Sequence, residues 1–81
     1  MIYSVYAIKS IVDGRIYVGM SKDIEKRLKD HNLGCVFSTK GYRLWRLIYI
    51  ERVGNRINAR EKEKFYKSGN GKELLKKIIP G

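Results

Sequence analysis

One cysteine, one proline and one histidine are all that the 81 residues contain of those types. A lone thiol, Cys35, excludes an internal disulfide and a multi-cysteine zinc cluster. Cys35 is read as a buried or loop thiol in preference to a nucleophile. No apolar run approaches the roughly 18 residues that a spanning helix needs, and residues 1–9 lack the basic region and apolar segment of a secretory signal. These absences predict a cytoplasmic protein that does not enter a membrane. Acidic residues are scarce as well. Eight Asp and Glu stand against 18 Lys and Arg, a net charge of +10. That exceeds what solubility requires and favours a polyanion, because each neutralised phosphate releases condensed counterions. An anionic membrane surface fits less well, since no long stretch joins a strongly hydrophobic face to a basic one.

What is present describes a small folded unit. The length predicts one domain over residues 1–81, burying only roughly 60% of its unfolded surface. Residues 2–9 read as a strand with apolar residues on both alternating faces, hence covered on both sides. Asp13-Gly14 between apolar runs signals a hairpin into a second strand ending at Gly19. Ser21 is positioned to cap a helix running to about His31, with Asp23 and Glu25 in its first turn. Ile24, Arg27, Leu28 and His31 form its stripe at i, i+3, i+4, i+7. A loop through Ser38-Thr39-Lys40-Gly41 leads to a third strand at Leu44–Glu51, in which Trp45 reads as core. Asn55 or Asn58 then caps a helix ending near Lys67, Asn58 with Glu61 resembling a capping box. Gly69 suits a left-handed cap, and a last helix spans Lys72 to Ile79 before Pro80. The order β-β-α-β-α-α predicts an α+β fold: a three-stranded, at least partly antiparallel sheet flanked by helices.

The chemistry-bearing residues fall in a definite order. Ser4-Val5-Tyr6 precedes Tyr17-Val18-Gly19; Arg27 follows Tyr17 by ten positions and His31 follows Arg27 by four. Downstream lies Ala59-Arg60-Glu61-Lys62-Glu63-Lys64-Phe65-Tyr66-Lys67-Ser68-Gly69. This series resembles the GIY-YIG endonuclease family over nearly the whole chain. It is closest to small stand-alone members and is similar to the N-terminal nuclease domain of the excision-repair nuclease. Two departures stand out: Ser4 replaces the first glycine, and Met20 stands where some nuclease members have a lysine.

The resemblance implies a metal-dependent endonuclease that nicks DNA, structured or damaged DNA included, in a repair setting. It implies Tyr6 as general base with a phenol acidified near the metal. Tyr17 would position water or a phosphate, and His31 would assist proton transfer or bind phosphate. Glu63 is the implied ligand of Mg²⁺ or Mn²⁺, in the best register over Glu61. Elementary chemistry agrees. Phosphodiester hydrolysis needs an activated nucleophile and charge stabilisation at the phosphoryl oxygens. One carboxylate with water and substrate phosphate suits Mg²⁺, and the Arg27 guanidinium offers a fork to phosphate. Lys22, Lys40, Arg43 and Lys67 are candidate contacts to the nucleic-acid backbone, DNA first and RNA second. Each residue also has a plainer use. Strand tyrosines pack, Arg27 can snorkel, a charged His31 can complement a helix end, and Glu61, Glu63 and Glu73 can pair with lysines. The alternative function is accordingly a nucleic-acid-binding module of the same fold with little or no catalysis. A monomer is the default, and a single-metal site predicts cutting of one strand per encounter.

Overall fold

A computed structural model describes residues 2–36, 40–42 and 44–78, without the side chains of Lys40 and Ile78. The expected contacts at Arg43 and at the Lys40 side chain lie outside the described residues, as do Ser38, Thr39, Ile79 and Pro80. The elements are β1 (Tyr3–Ser10), β2 (Ile16–Ser21), α1 (Ile24–Leu33), a 3-10 turn (Lys40–Tyr42), β3 (Trp45–Gly54), α2 (Arg56–Lys67) and α3 (Gly69–Ile78). The sheet order is β2-β1-β3 with both pairings antiparallel. The predicted α+β order is thus observed, and the sheet is antiparallel throughout.

β1 is central and its alternation fills two cores. Val5 and Ala7 join Val18, Ala59, Tyr66 and Leu75 on the face covered by α2 and α3. Tyr6 and Ile8 join Trp45 on the other face, with Ile24 and Leu28 of α1 packed against them. Both side-chain sets of β1 are removed from water, which explains its unbroken apolar reading. The hairpin forms at Asp13-Gly14, where Gly14 takes φ +80° and the Asp13 carboxylate accepts from the Arg15 backbone and Nε.

Helix boundaries differ from the sequence reading for local reasons. Ser21 is still in β2, and its hydroxyl accepts the Asp23 N–H at 3.0 Å. That turn leaves Asp23 extended, so its carboxylate is the cap, accepting the Lys26 N–H at 3.1 Å. α1 runs on past His31 to Leu33 and ends at Gly34, φ +83°. Asn55, not Asn58, caps α2 by accepting the Asn58 N–H at 2.9 Å, which places Asn58 inside the helix. Gly69 does not adopt the left-handed conformation expected of it. Ser68 closes α2 instead, in extended backbone, its hydroxyl donating to the Phe65 carbonyl and accepting the Gly71 N–H. One side chain therefore ends α2 and starts α3 three residues earlier than Lys72.

This corner brings α3 tightly onto α2. A Cβ at Gly71 would collide with the Phe65 carbonyl and the Tyr66 backbone. Gly71→Ala is expected to destabilise the fold by about 1–3 kcal/mol through overpacking. Urea unfolding tests this, and an unchanged midpoint would show that the corner relaxes freely.

Candidate active site

The site grows out of one cross-strand pair. In the β1–β2 register Tyr6 lies opposite Gly19. A Cβ at Gly19 would stand 2.5 Å from the Tyr6 hydroxyl and 2.7 Å from its Cζ. Gly19 is not among the positive-φ glycines. Space rather than backbone freedom demands glycine there, because the phenol lies across it. Ser4, which stands where the motif that the chain resembles has glycine, is buried in β1 beside a shift in the β1–β3 register between Tyr3 and Ser4.

From this seat the Tyr6 hydroxyl reaches His31 Nε2 at 2.8 Å. His31 comes from the last turns of α1 and is fully buried, as the i+7 member of the stripe begun by Ile24. Tyr17, also on β2, stands with its ring 5.0 Å from that of His31. The Trp45 ring lies 6.4 Å from Tyr17 and 6.5 Å from His31, so Trp45 is core, as expected, and is also a wall of the site. Asn32 holds that wall: its side chain accepts the Trp45 N–H at 2.6 Å and donates to the Trp45 carbonyl at 3.2 Å. Sequence reasoning passed over Asn32, whose only signal is its place beside His31 at the helix end.

Arg27, one turn before His31, is partly exposed and 3.9 Å from Asp30. Its charge lies close enough to the Tyr6 phenol to favour ionisation there. Glu63 approaches from α2, with its side chain only 12% exposed. Its charge acts on Tyr6, which places the carboxylate within electrostatic reach of the phenol. Lys67, one turn further on, holds its Nζ 3.5 Å from Glu63 Oε2 and 5.9 Å from the Tyr17 ring centroid. The structure therefore gathers Tyr6, Tyr17, Arg27, His31, Glu63 and Lys67 from β1, β2, α1 and α2. Glu61 is exposed on α2. Lys22 sits elsewhere, over the Tyr3 ring at 5.9 Å.

Electrostatics separate the two members of the central hydrogen bond from their ordinary states. Burial, with the Arg27 charge beside it, brings His31 down to about 4, so the imidazole is neutral at neutral pH. The charged, dipole-complementing histidine considered from sequence does not occur, because no water reaches the ring to solvate a cation. Burial pushes the Tyr6 phenol up, and Arg27 opposes that shift without cancelling it. The sequence expectation of an acidified phenol thus has one contributor within the chain, Arg27.

Among the described residues no three His, Cys, Asp or Glu side chains cluster to cage a metal. Glu63 is a single, largely covered carboxylate with an ammonium already beside it. That donor set fits a hard cation such as Mg²⁺, which keeps several waters and takes one or two carboxylates plus substrate phosphate.

A second polar group braces α2. The Tyr49 and Tyr66 hydroxyls donate to Glu51 Oε1 at 2.8 and 3.0 Å, and Lys62 Nζ lies 3.5 Å from Oε2. These bonds hold Glu51 below the usual carboxylate range, and burial first, then the bonds, raises Tyr49. This β3–α2 tie is invisible in the motif spacing.

The buried imidazole makes stability pH-dependent with a definite sign. The folded pKa, about 4, is below the ordinary 6.5, so the unfolded chain takes up the proton first. Stability is complete above pH 6.5 and is lost as pH falls toward 4. Down to pH 4.5 the loss is on the order of 2 kcal/mol, and His31→Gln should flatten that slope in urea titrations. Gly19→Ala should dislodge the phenol from His31 Nε2. NMR titration of the single histidine would then move back toward 6.5, and an unmoved titration would show that Tyr6 accommodates the methyl.

Comparison with known proteins agrees with this geometry. Residues 2–77 match the model of the GIY-YIG catalytic domain. A UPF0213 protein of Staphylococcus saprophyticus is 37% identical over 70 residues, covering 85% of each chain. Another from Clostridium perfringens is 33% identical over 67 residues, covering 82% of this chain and 72% of its own. The solution NMR structure of a UPF0213 protein from Bacillus halodurans superposes with a TM-score of 0.59 at 28% identity, covering 96% of this chain and 85% of that one. With its tyrosine pair, its arginine and its α2 carboxylate brought together on this sheet, the chain belongs to the GIY-YIG family and has that family's nuclease fold.

Proposed function

We propose that the protein is a divalent-metal-dependent endonuclease that hydrolyses phosphodiester bonds of DNA one strand at a time. The observation that supports this most strongly is the convergence of Tyr6, Arg27, His31 and Glu63 around the 2.8 Å Tyr6–His31 hydrogen bond. Packing alone does not call for a half-exposed guanidinium and a carboxylate at a buried phenol–imidazole pair.

The roles follow from the states of the groups. In the tautomer that carries its proton on Nδ1, a neutral His31 would accept the Tyr6 O–H at Nε2. Tyr6 can then take a proton from an attacking water as it passes its own to His31, so no free phenolate is needed in a seat whose burial disfavours one. Tyr17, against the His31 ring, borders the space in which that water would sit. Arg27 is partly exposed, close enough to Tyr6 to favour its ionisation and open enough to grip a phosphate oxygen. Glu63 would hold Mg²⁺ or Mn²⁺, whose charge stabilises the phosphoryl and leaving oxygens. The net charge of +10 supports a backbone-tracking mode of binding.

The decisive assay is conversion of supercoiled and branched DNA in Mg²⁺ or Mn²⁺. Wild type is expected to accumulate nicked product before any linear form, and EDTA should stop it. Arg27→Ala should slow nicking roughly 100-fold, and Glu63→Ala should abolish it while salt-sensitive DNA binding persists. If wild type binds DNA but cuts neither DNA nor RNA, the chain is a nucleic-acid-binding module on this fold.

A further inference from the structure

Lys67 is the cation nearest to Glu63 among the described ion pairs, and its placement suggests more than a surface contact. Glu63 is 12% exposed while Lys67 is 49% exposed. The carboxylate is therefore fixed in the site, whereas the ammonium has open space to leave into. The pair is i, i+4 on α2, the helical spacing at which acid and base meet without distorting the backbone. Nζ also faces the Tyr17 ring at 5.9 Å, which puts the ammonium on the site side of α2.

We propose that Lys67 is the resident counter-ion of Glu63 and sets the divalent-cation affinity of the site by competing for its carboxylate. This rests on the reading of Glu63 as the metal ligand. A divalent ion arriving at Glu63 meets a positive charge 3.5 Å from Oε2, and like charges at that range repel strongly in a partly covered site. The ion binds when the ammonium swings outward. Displaced, Lys67 stands free beside Tyr17, where it meets a substrate phosphate. Phosphate offered there draws Lys67 off the carboxylate, so metal and DNA each favour the binding of the other. The device keeps the carboxylate neutralised when no substrate is present.

The test is Mn²⁺ binding to the protein without DNA, read from the free-ion signal in electron paramagnetic resonance. Wild type is compared with Lys67→Met, Lys67→Arg and Glu63→Gln. Lys67→Met should bind Mn²⁺ roughly threefold to tenfold more tightly, and Lys67→Arg should match wild type, since charge rather than shape is at issue. If Lys67→Met binds no more tightly while Glu63→Gln loses the ion, the competition is refuted and the metal assignment survives. If Glu63→Gln binds like wild type, or neither wild type nor Lys67→Met binds at all, the assignment of Glu63 fails and the competition falls with it.

Discussion

The rest of the site depends on the contact between the Tyr6 phenol and the bare backbone of Gly19. Tyr6 lies on the central strand, and Gly19 is its partner on the edge strand β2. The absence of a side chain at Gly19 lets the ring lie low enough for its hydroxyl to meet His31 Nε2. That bond joins β1 to the last turns of α1. It also explains why α1 must continue past His31 to Leu33: a frayed end could not hold the imidazole in place. The Asn32 clamp on Trp45 then fixes the same helix end to the start of β3.

Energetically this is a costly place for polar groups. A hydroxyl and an imidazole buried without partners would each be penalised by about 1–3 kcal/mol. Paired with one another they are satisfied, and the described residues include no buried side-chain polar atom without a partner. The low dielectric that makes an unpaired group expensive also keeps His31 neutral and sharpens the influence of Arg27. Neutrality matters to the chemistry as well as to the fold. A protonated imidazole could not accept from Tyr6, so the burial that keeps His31 neutral leaves it able to serve as the acceptor in the role proposed for it.

Much of this was legible in the sequence. The order of elements, the two-faced burial of β1 and the hairpin at Asp13-Gly14 follow from periodicity and turn chemistry, whereas Tyr6, Tyr17, Arg27, His31 and Glu63 stand out in the sequence through the family resemblance. The capping choices did not, because several serines, asparagines and aspartates compete within a few residues. Ser21 gives way to Asp23 since β2 pairing with Ser4 still holds it, and Gly69 gives way to Ser68 since one hydroxyl reaches both helices. The protonation states were equally out of reach. A histidine on a helical stripe reads as boundary or core depending on what packs over it, and Trp45 arrives from fourteen positions later in the chain. In the Glu51 tie, Tyr49 shares a strand face with Glu51 at i, i+2, but no local pattern relates either to Tyr66 on α2.

That tie bears on how a helix on the far face of the sheet can serve a site built around Tyr6. α2 packs against the core that holds Val5 and Ala7, opposite the Tyr6 side. Its carboxylate must therefore reach the site past the edge strand β2, and this requires α2 to be held at a fixed height and rotation. Ala59, with its minimal side chain, lets the helix lie close to the sheet, and Tyr66 anchors the same face through Glu51. Glu63 lies between these two anchors, a turn from each, so its position follows from both. β2 is an edge strand, so among the described residues no further strand pairs beyond Tyr17. The site holds two ion pairs, Arg27 with Asp30 at 3.9 Å and Lys67 with Glu63 at 3.5 Å. Both cations are partly exposed, and the chain's net charge of +10 gives their surroundings the polarity a phosphodiester backbone would find complementary.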